Sequence, residues 1–384
     1  MGGNRRSTPA RRHCAVIGGG VVGLAVALNL LETGVDVSVF ERTGVAAGAS
    51  GVQPGGIRQQ WGTRANCLMA RESVGFYAEF PDRYGTLAQA RLDRCGYVFI
   101  AHQPVSLRQL ESNIAVQHEL GIRSQLLNAQ EAAELVPSLN PDGLAGAAYC
   151  SDDGYYDRPQ AVVEAFAELV ARLGGRLEIR GVATVERNGA GWQLGFEDGA
   201  SEHAETVVVA AAHESATLLA PLGHHLPIKR EPRYLFYSDP IRERLLEPLV
   251  IAVDLGFAAK QLANGRVLAS DLHATGALDA NEARWRRRIR EVAVELLPIL
   301  EYVSLPIVVA GDYDMTPDGQ PIVDRLEDGL WVAAGFSGHG FMVAPAVGRM
   351  IAETFDGDAP PEWSNAVRAD RFASALEAVE AQVI

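Results

Sequence analysis

Three glycines and one acid carry the clearest chemistry in this chain. Gly18, Gly20 and Gly23 form a G-x-G-x-x-G pattern with Val21 and Val22 between the last two glycines, and Glu41 follows 18 residues after Gly23. The first glycine allows a tight turn, the second lets the main chain approach a pyrophosphate, and the third lets a helix pack closely on a strand. The start of that helix offers unpaired N–H groups and the positive end of its dipole to an anion. Glu41 is placed to accept hydrogen bonds from ribose hydroxyls. Three glycines alone would make only a loop. Here an apolar strand precedes them, an apolar helix follows, and a second strand ends on the acid, so the segment reads as an adenine dinucleotide site.

A second glycine cluster lies near the other end of the sequence. Ala333-Ala-Gly-Phe-Ser-Gly-His-Gly-Phe-Met-Val-Ala-Pro-Ala-Val-Gly348 runs from a strand through Gly335, Gly338 and Gly340 into a helix. It predicts a second close approach of backbone to ligand, whose plain alternative is an ordinary strand–helix turn. For His339 the alternative is a histidine satisfied by backbone. Lysine occurs only at Lys229 and Lys260, so lysine chemistry has two candidates. Cys14, Cys67, Cys95 and Cys150 form no C-x-x-C pair and read as buried thiols of a reducing, cytoplasmic compartment.

Around these residues the apolar pattern predicts an α/β protein. Helical spacing is seen at 66–80, 105–120, 128–135, 159–173, 282–297 and 345–354. Strand patterns fall at 92–101, 176–186, 192–196, 206–210, 233–237, 249–253, 266–270 and 330–334. The run 206–210 is apolar throughout, as in a strand covered on both faces. The glycine motif sits at one end while further core strands recur late. That predicts a nucleotide domain built from separated segments with a second domain between them. A net charge of −14 argues against nucleic acid. No run reaches the ~20 apolar residues of a membrane span. The arginine-rich first twelve residues lead into no signal-type apolar core and read as a flexible tail.

With these motifs in view, the chain resembles the D-amino-acid-oxidase superfamily of FAD-dependent flavoproteins, and within it the sarcosine oxidases and sarcosine/dimethylglycine dehydrogenases. The resemblance rests on the first glycine motif through Glu41-Arg42, and on Gly48-Ala-Ser-Gly-Val-Gln-Pro-Gly-Gly-Ile-Arg58. It rests further on Gly311-Asp-Tyr-Asp-Met-Thr-Pro-Asp-Gly-Gln-Pro-Ile-Val323 and on the second glycine cluster. It implies a glutathione-reductase-type FAD domain with a Rossmann-like sheet at 13–80, 151–222 and 312–384. It also implies a substrate domain with a mostly antiparallel sheet at 81–150 and 223–311. Gly18, Gly20, Gly23, Glu41, Arg42, Gly48, Ala49 and Ser50 match cofactor-binding positions, and Val182 matches a residue whose backbone meets adenine. Gly338, His339, Gly340, Phe341 and Met342 match the loop below the flavin. Arg58 matches an arginine near the flavin or the substrate carboxylate, and Tyr313 a tyrosine facing substrate.

Three departures from the family pattern shape the expected chemistry. Gly311 stands where monomeric sarcosine oxidases carry a flavin-tethering cysteine, and no histidine lies near Ser50, so the resemblance implies non-covalent FAD. Met342 stands where those oxidases carry a substrate-binding lysine, which leaves carboxylate binding to arginine. Leu268 stands where they carry an oxygen-activating lysine, with Lys260 nearby as the remaining cation. The expected reaction is oxidation of an amino acid C–N bond by hydride transfer to flavin N5, an N-alkyl or cyclic amine being preferred. Oxygen or another acceptor would take the electrons. Glycine, D-amino-acid or 2-hydroxy-acid oxidation on the same fold, and a FAD-bound interaction subunit, stand as alternatives.

Overall fold

A computed structural model describes residues 12–85, 92–373, 378–380 and 383. The first layer is a six-stranded sheet in the order Ile322–Glu327, Leu330–Ala334, Thr206–Val209, His13–Ile17, Asp36–Glu41 and Arg176–Ile179. All its pairs are parallel except the outermost hairpin, Ile322–Glu327 with Leu330–Ala334. The central strand His13–Ile17 feeds Gly18 and then the helix Val21–Glu32, eight of whose twelve residues are buried. That helix crosses the late helix Gly340–Asp356 with its backbone nearly touching. A Cβ on Gly348 would lie 2.5 Å from the Ala25 carbonyl oxygen. The two ends of the sequence are therefore joined at the heart of one core.

The second layer is an eight-stranded sheet. Its order is Ile307–Met315, Lys229–Tyr237, Val267–Asp271, Phe257–Gln261, Leu249–Ala252, Tyr97–Ala101, Gly146–Cys150 and Gln125–Leu127. Only Leu249–Ala252 and Tyr97–Ala101 run parallel. The helix Leu278–Leu296 covers one face through Trp285, Ile289, Val292 and Leu296. The strand Ile307–Met315 spans residues 311 and 312 without a break and stays paired with Lys229–Tyr237 along its whole length.

Two strand readings are corrected. The single strand expected at 176–186 is two. Arg180 gives its N–H to the Glu41 carbonyl, ending the pairing with Asp36–Glu41. The chain then turns at Gly181, where a Cβ would strike the Glu197 carboxyl at 2.6 Å. Val182–Asn188 continues in a separate three-stranded sheet with Gly191–Phe196 and Ser201–Ala204. The strand expected at 92–101 begins only at Tyr97, because Gly96 is left-handed at φ +83°. Residues 1–11 of the expected tail lie outside the described residues. Arg12 is tied to Asp356 at 2.6 Å and to the Phe355 carbonyl. Among the described residues no helix is long and apolar enough to cross a membrane.

Candidate functional site

A long cleft runs from the end of the six-stranded sheet to the underside of the eight-stranded one. Gly18, Gly20, Val21, Val22, Glu41, Arg42, Ser50 and Val182 line one end; Gly338, Gly340, Phe341, Tyr313 and Arg233 line the other. Gly48 and Ala49 also border it. The three glycines of the first motif differ in what holds them. Gly18 has φ +117°, and a Cβ there would meet the Ala210 carbonyl oxygen at 2.4 Å. A Cβ on Gly23 would meet the Gly18 carbonyl oxygen at 2.0 Å. Gly20 has an ordinary extended backbone, and its Cβ would meet only Ser50 Oγ, at 3.1 Å. The fold itself demands Gly18 and Gly23. Gly20 keeps open the cradle that the cleft presents at the helix start, where first-turn N–H groups lack intrahelical acceptors.

Glu41 is built into this end. One carboxylate oxygen accepts the Gly19 N–H at 2.7 Å and the other the Thr43 N–H at 3.0 Å. Ser50 Oγ accepts the Val21 N–H at 3.0 Å, bringing the 48–52 turn against the helix start. Arg42 pairs with Glu214 and, at 3.0 Å, with Glu197 across the rim. Ala212 borders the cleft with φ +49°, a left-handed conformation normally taken by glycine.

At the other end Tyr313 packs its ring on Gly338, whose added Cβ would lie 2.1 Å from that ring. Burial raises the Tyr313 phenol above its usual range, while Arg233 and Arg58 pull it back. Arg233 places its guanidinium carbon 5.2 Å from the Tyr313 ring centre and bonds Glu231 at 3.0 Å. The register explains the grouping: Glu231 lies opposite Tyr313, and Arg233 opposite Gly311. Arg233 escaped the sequence reading because its role depends on that register. Gly311 packs on Val52, whose Cγ2 would lie 2.6 Å from an added Cβ.

Arg58, His339, Met342 and Lys260 do not line the cleft in this conformation; all four are buried, so a ligand reaches them only by displacing part of the lining. Arg58 sits in the turn after the short strand Gly56–Ile57 and has no solvent exposure. Its guanidinium carbon lies 3.7 Å above the Trp61 ring centre. Burial lowers its pKa, against the opposing pull of Glu380, Tyr97 and Asp153. His339 meets the same indole edge-on at 4.5 Å. Among the described residues neither ring nitrogen of His339 makes a hydrogen bond of ordinary geometry, while the Phe336 backbone acts on the imidazole and opposes the fall of its pKa. Burial, then the Arg58 charge, depress its pKa well below the usual histidine range. Met342 brings its Cε to Gly56. Trp61 is thus the shared wall of Arg58 and His339, and it was not singled out in the sequence.

Lys260 lies directly opposite Leu268 in the antiparallel pair, so the two share one face of the sheet. Its ammonium donates to the Pro54 carbonyl and sits 3.9 Å from the Tyr155 ring centre. Pro54 itself borders the cleft. Burial pulls the Lys260 pKa down to about 7. Asp314, pushed up to about 6 by burial, accepts the Gly335 N–H at 2.7 Å, and its carbonyl takes the Ser337 N–H. It thereby shapes the loop before Gly338. Among the described residues no acidic, histidine or cysteine cluster suits a metal ion.

The sequence model of the family described as "FAD dependent oxidoreductase" matches residues 13–354, and the chain belongs to that family. FAD is its cofactor. The open cradle at Gly20 and the acid at Glu41 suit such a group. The chain is 26% identical over 382 residues to 4-methylaminobutanoate oxidase (formaldehyde-forming) of Paenarthrobacter nicotinovorans, covering 95% of this chain and 46% of that one. It thus spans about half the length of that relative. It is 27% identical to glycine oxidase of Geobacillus kaustophilus, with 89% and 92% covered. Among solved structures, L-proline dehydrogenase from P. horikoshii superposes with a TM-score of 0.85 at 26% identity, over 95% of this chain and 99% of that one.

Proposed function

We propose that this flavoprotein oxidises the C–N bond of an amino acid, with N-alkyl or cyclic secondary amines preferred over primary ones. The carrying observation is the wholly buried Arg58 guanidinium stacked on Trp61, behind the glycine loop that lines the cleft. An arginine kept from water suits a carboxylate with two parallel hydrogen bonds. When bound, FAD supplies the hydride acceptor. The protein's share is orientation, dryness and charge. Arg58 holds the carboxylate, the Tyr313 ring closes the far side, and the depressed pKa of His339 keeps its ring neutral beside Arg58. No strong base is needed for an amine that arrives uncharged. The names of the relatives support an amine: two act on secondary amines, 4-methylaminobutanoate and L-proline, and one on glycine.

The test is an anaerobic panel read by bleaching of the flavin absorbance. N-methyl and cyclic amino acids should bleach it fastest, primary amino acids slowly, and 2-hydroxy acids not at all. Bleaching by 2-hydroxy acids alone would replace the reading. Arg58→Ala should raise the KM of a carboxylate substrate by roughly 2–5 kcal/mol of binding. Equal loss for the descarboxy amine would remove Arg58 from this role.

A further inference from the structure

Asp153 is a carboxylate without solvent exposure that the proposed reaction does not use. It stands just before the strand Gly154–Tyr155, which pairs with Gly56–Ile57. One oxygen accepts the Gln59 N–H at 2.7 Å; the other accepts Gln60 Nε2 at 3.0 Å. That same nitrogen also reaches the Tyr97 carbonyl at 3.1 Å. The backbone of Asp153 is fixed in turn, its carbonyl taking the Gly96 N–H at 2.9 Å. So Asp153 grips the main chain of one residue and the side chain of the next, immediately after Arg58.

Those next residues are what locate the guanidinium. Arg58 Nη1 donates to the Gln60 carbonyl, and the charged plane rests on Trp61. Trp61 Nε1 donates back to the Arg58 carbonyl at 3.1 Å. The segment 58–61 is therefore a small closed unit with the arginine's fork as its product and Asp153 as its outer support. Supporting shells of this kind hold a ligand-binding group within a few tenths of an ångström of its working position. Asp153 belongs to neither large sheet, and its carboxylate bonds to the turn after Arg58.

We propose that Asp153 is a positioning residue for Arg58: through the Gln59 N–H and the Gln60 amide it fixes the carbonyl and the ring that aim the guanidinium at a substrate carboxylate. This rests on the reading that Arg58 holds that carboxylate, and the experiment separates the two. The readout is binding to the FAD-loaded protein, followed by the shift in flavin absorbance. The probes are cyclopentanecarboxylate and its neutral partner cyclopentanecarboxamide. Asp153→Ala orphans a buried N–H and frees the Gln60 amide. Asp153→Asn keeps an oxygen for the Gln59 N–H but sets an NH2 against the Gln60 amide NH2. Gln60→Met leaves the Gln60 carbonyl and removes the amide that Asp153 and Tyr97 hold, and it serves should the Asp153 variants fail to fold.

The carboxylate should bind roughly tenfold to a hundredfold more weakly to Asp153→Ala and Gln60→Met, and by a smaller factor to Asp153→Asn. The carboxamide should change little. In an Arg58→Ala background the Asp153 substitutions should add nothing, as two residues acting through one contact do not add. Equal loss of both probes, or an Asp153 effect that persists fully without Arg58, would overturn the proposal. Weakening by Arg58→Ala with none from Asp153 or Gln60 variants would also overturn it while leaving the Arg58 reading in place. An Arg58→Ala protein that binds the carboxylate normally would remove both.

Discussion

Gly20→Ala and Gly23→Ala should fail in opposite ways. The two glycines are three residues apart in one motif, yet an added methyl meets different things. On Gly23 it would lie 2.0 Å from the Gly18 carbonyl oxygen and 3.3 Å from Val16, both belonging to the folded protein. Backbone must shift, and overpacking of this kind costs ~1–3 kcal/mol or more. On Gly20 it meets only Ser50 Oγ at 3.1 Å, and φ −79°, ψ 177° is open to any residue. The apoprotein should therefore lose little, and the stiffer unfolded chain returns ~0.4–1 kcal/mol. The methyl does stand where a pyrophosphate must come close. Displacing one or two charge-assisted hydrogen bonds, at ~1.5–3 kcal/mol each, weakens FAD by roughly tenfold to ten-thousandfold. Urea unfolding of the apoproteins, followed by circular dichroism, measures the first effect. Titration with FAD, followed by quenching of its fluorescence, measures the second. The reasoning is refuted if Gly20→Ala destabilises the apoprotein as much as Gly23→Ala does, or if it binds FAD like the parent.

Three further outcomes follow from the same geometry. FAD should leave the polypeptide on acid precipitation, since Gly311 offers no nucleophile and its space is filled by Val52; a yellow pellet would contradict this. Lys260→Met should slow reoxidation of the reduced enzyme by oxygen, on the order of 100-fold. Because burial holds the Lys260 pKa at about 7, its charge is present below that pH and lost above it, so the parent's rate should fall as pH rises through about 7; stopped-flow traces flat across that range, or unchanged by the substitution, would exclude Lys260. Ala212→Gly should stabilise the apoprotein by roughly 0.5–1 kcal/mol, the relief of ~1–2 kcal/mol of left-handed strain exceeding the entropy cost of a glycine; a lower urea midpoint would count against that account.

What was legible in the sequence was whatever depends on neighbours along the chain. The strand, the glycines, the helix and Glu41 follow one another within some thirty residues, and each has a local physical signature. The late glycine cluster is local in the same sense. Arg58 was visible as an arginine after a glycine-rich turn. Its burial was not, because it depends on residues distant in the chain, such as Phe99, whose ring centre lies 5.3 Å from the guanidinium. Arg233 and Trp61 were missed for the same reason: each matters through a cross-strand register or a stacked partner far away in the chain. The single strand expected at 176–186 was a failure of another type. Its apolar alternation runs straight through Arg180-Gly181, and only the crowding at Gly181 against Glu197 reveals the break.

The crossing of the Val21–Glu32 and Gly340–Asp356 helices carries a consequence for how the protein is made. Both helix starts address one cleft, but they are synthesised some three hundred residues apart. At ~5–20 residues per second, the first glycine motif waits on the order of 15–60 s before its partner leaves the ribosome. The strand at the centre of the first sheet waits likewise for Thr206–Val209, and that strand for Leu330–Ala334. Such distant pairings make the nucleotide layer slow to close. An early segment that pairs so late spends that interval as an apolar strand and helix without a core, which is when a chaperone would be needed. Cofactor loading then has to wait until the Gly340–Asp356 helix has emerged and closed the cleft.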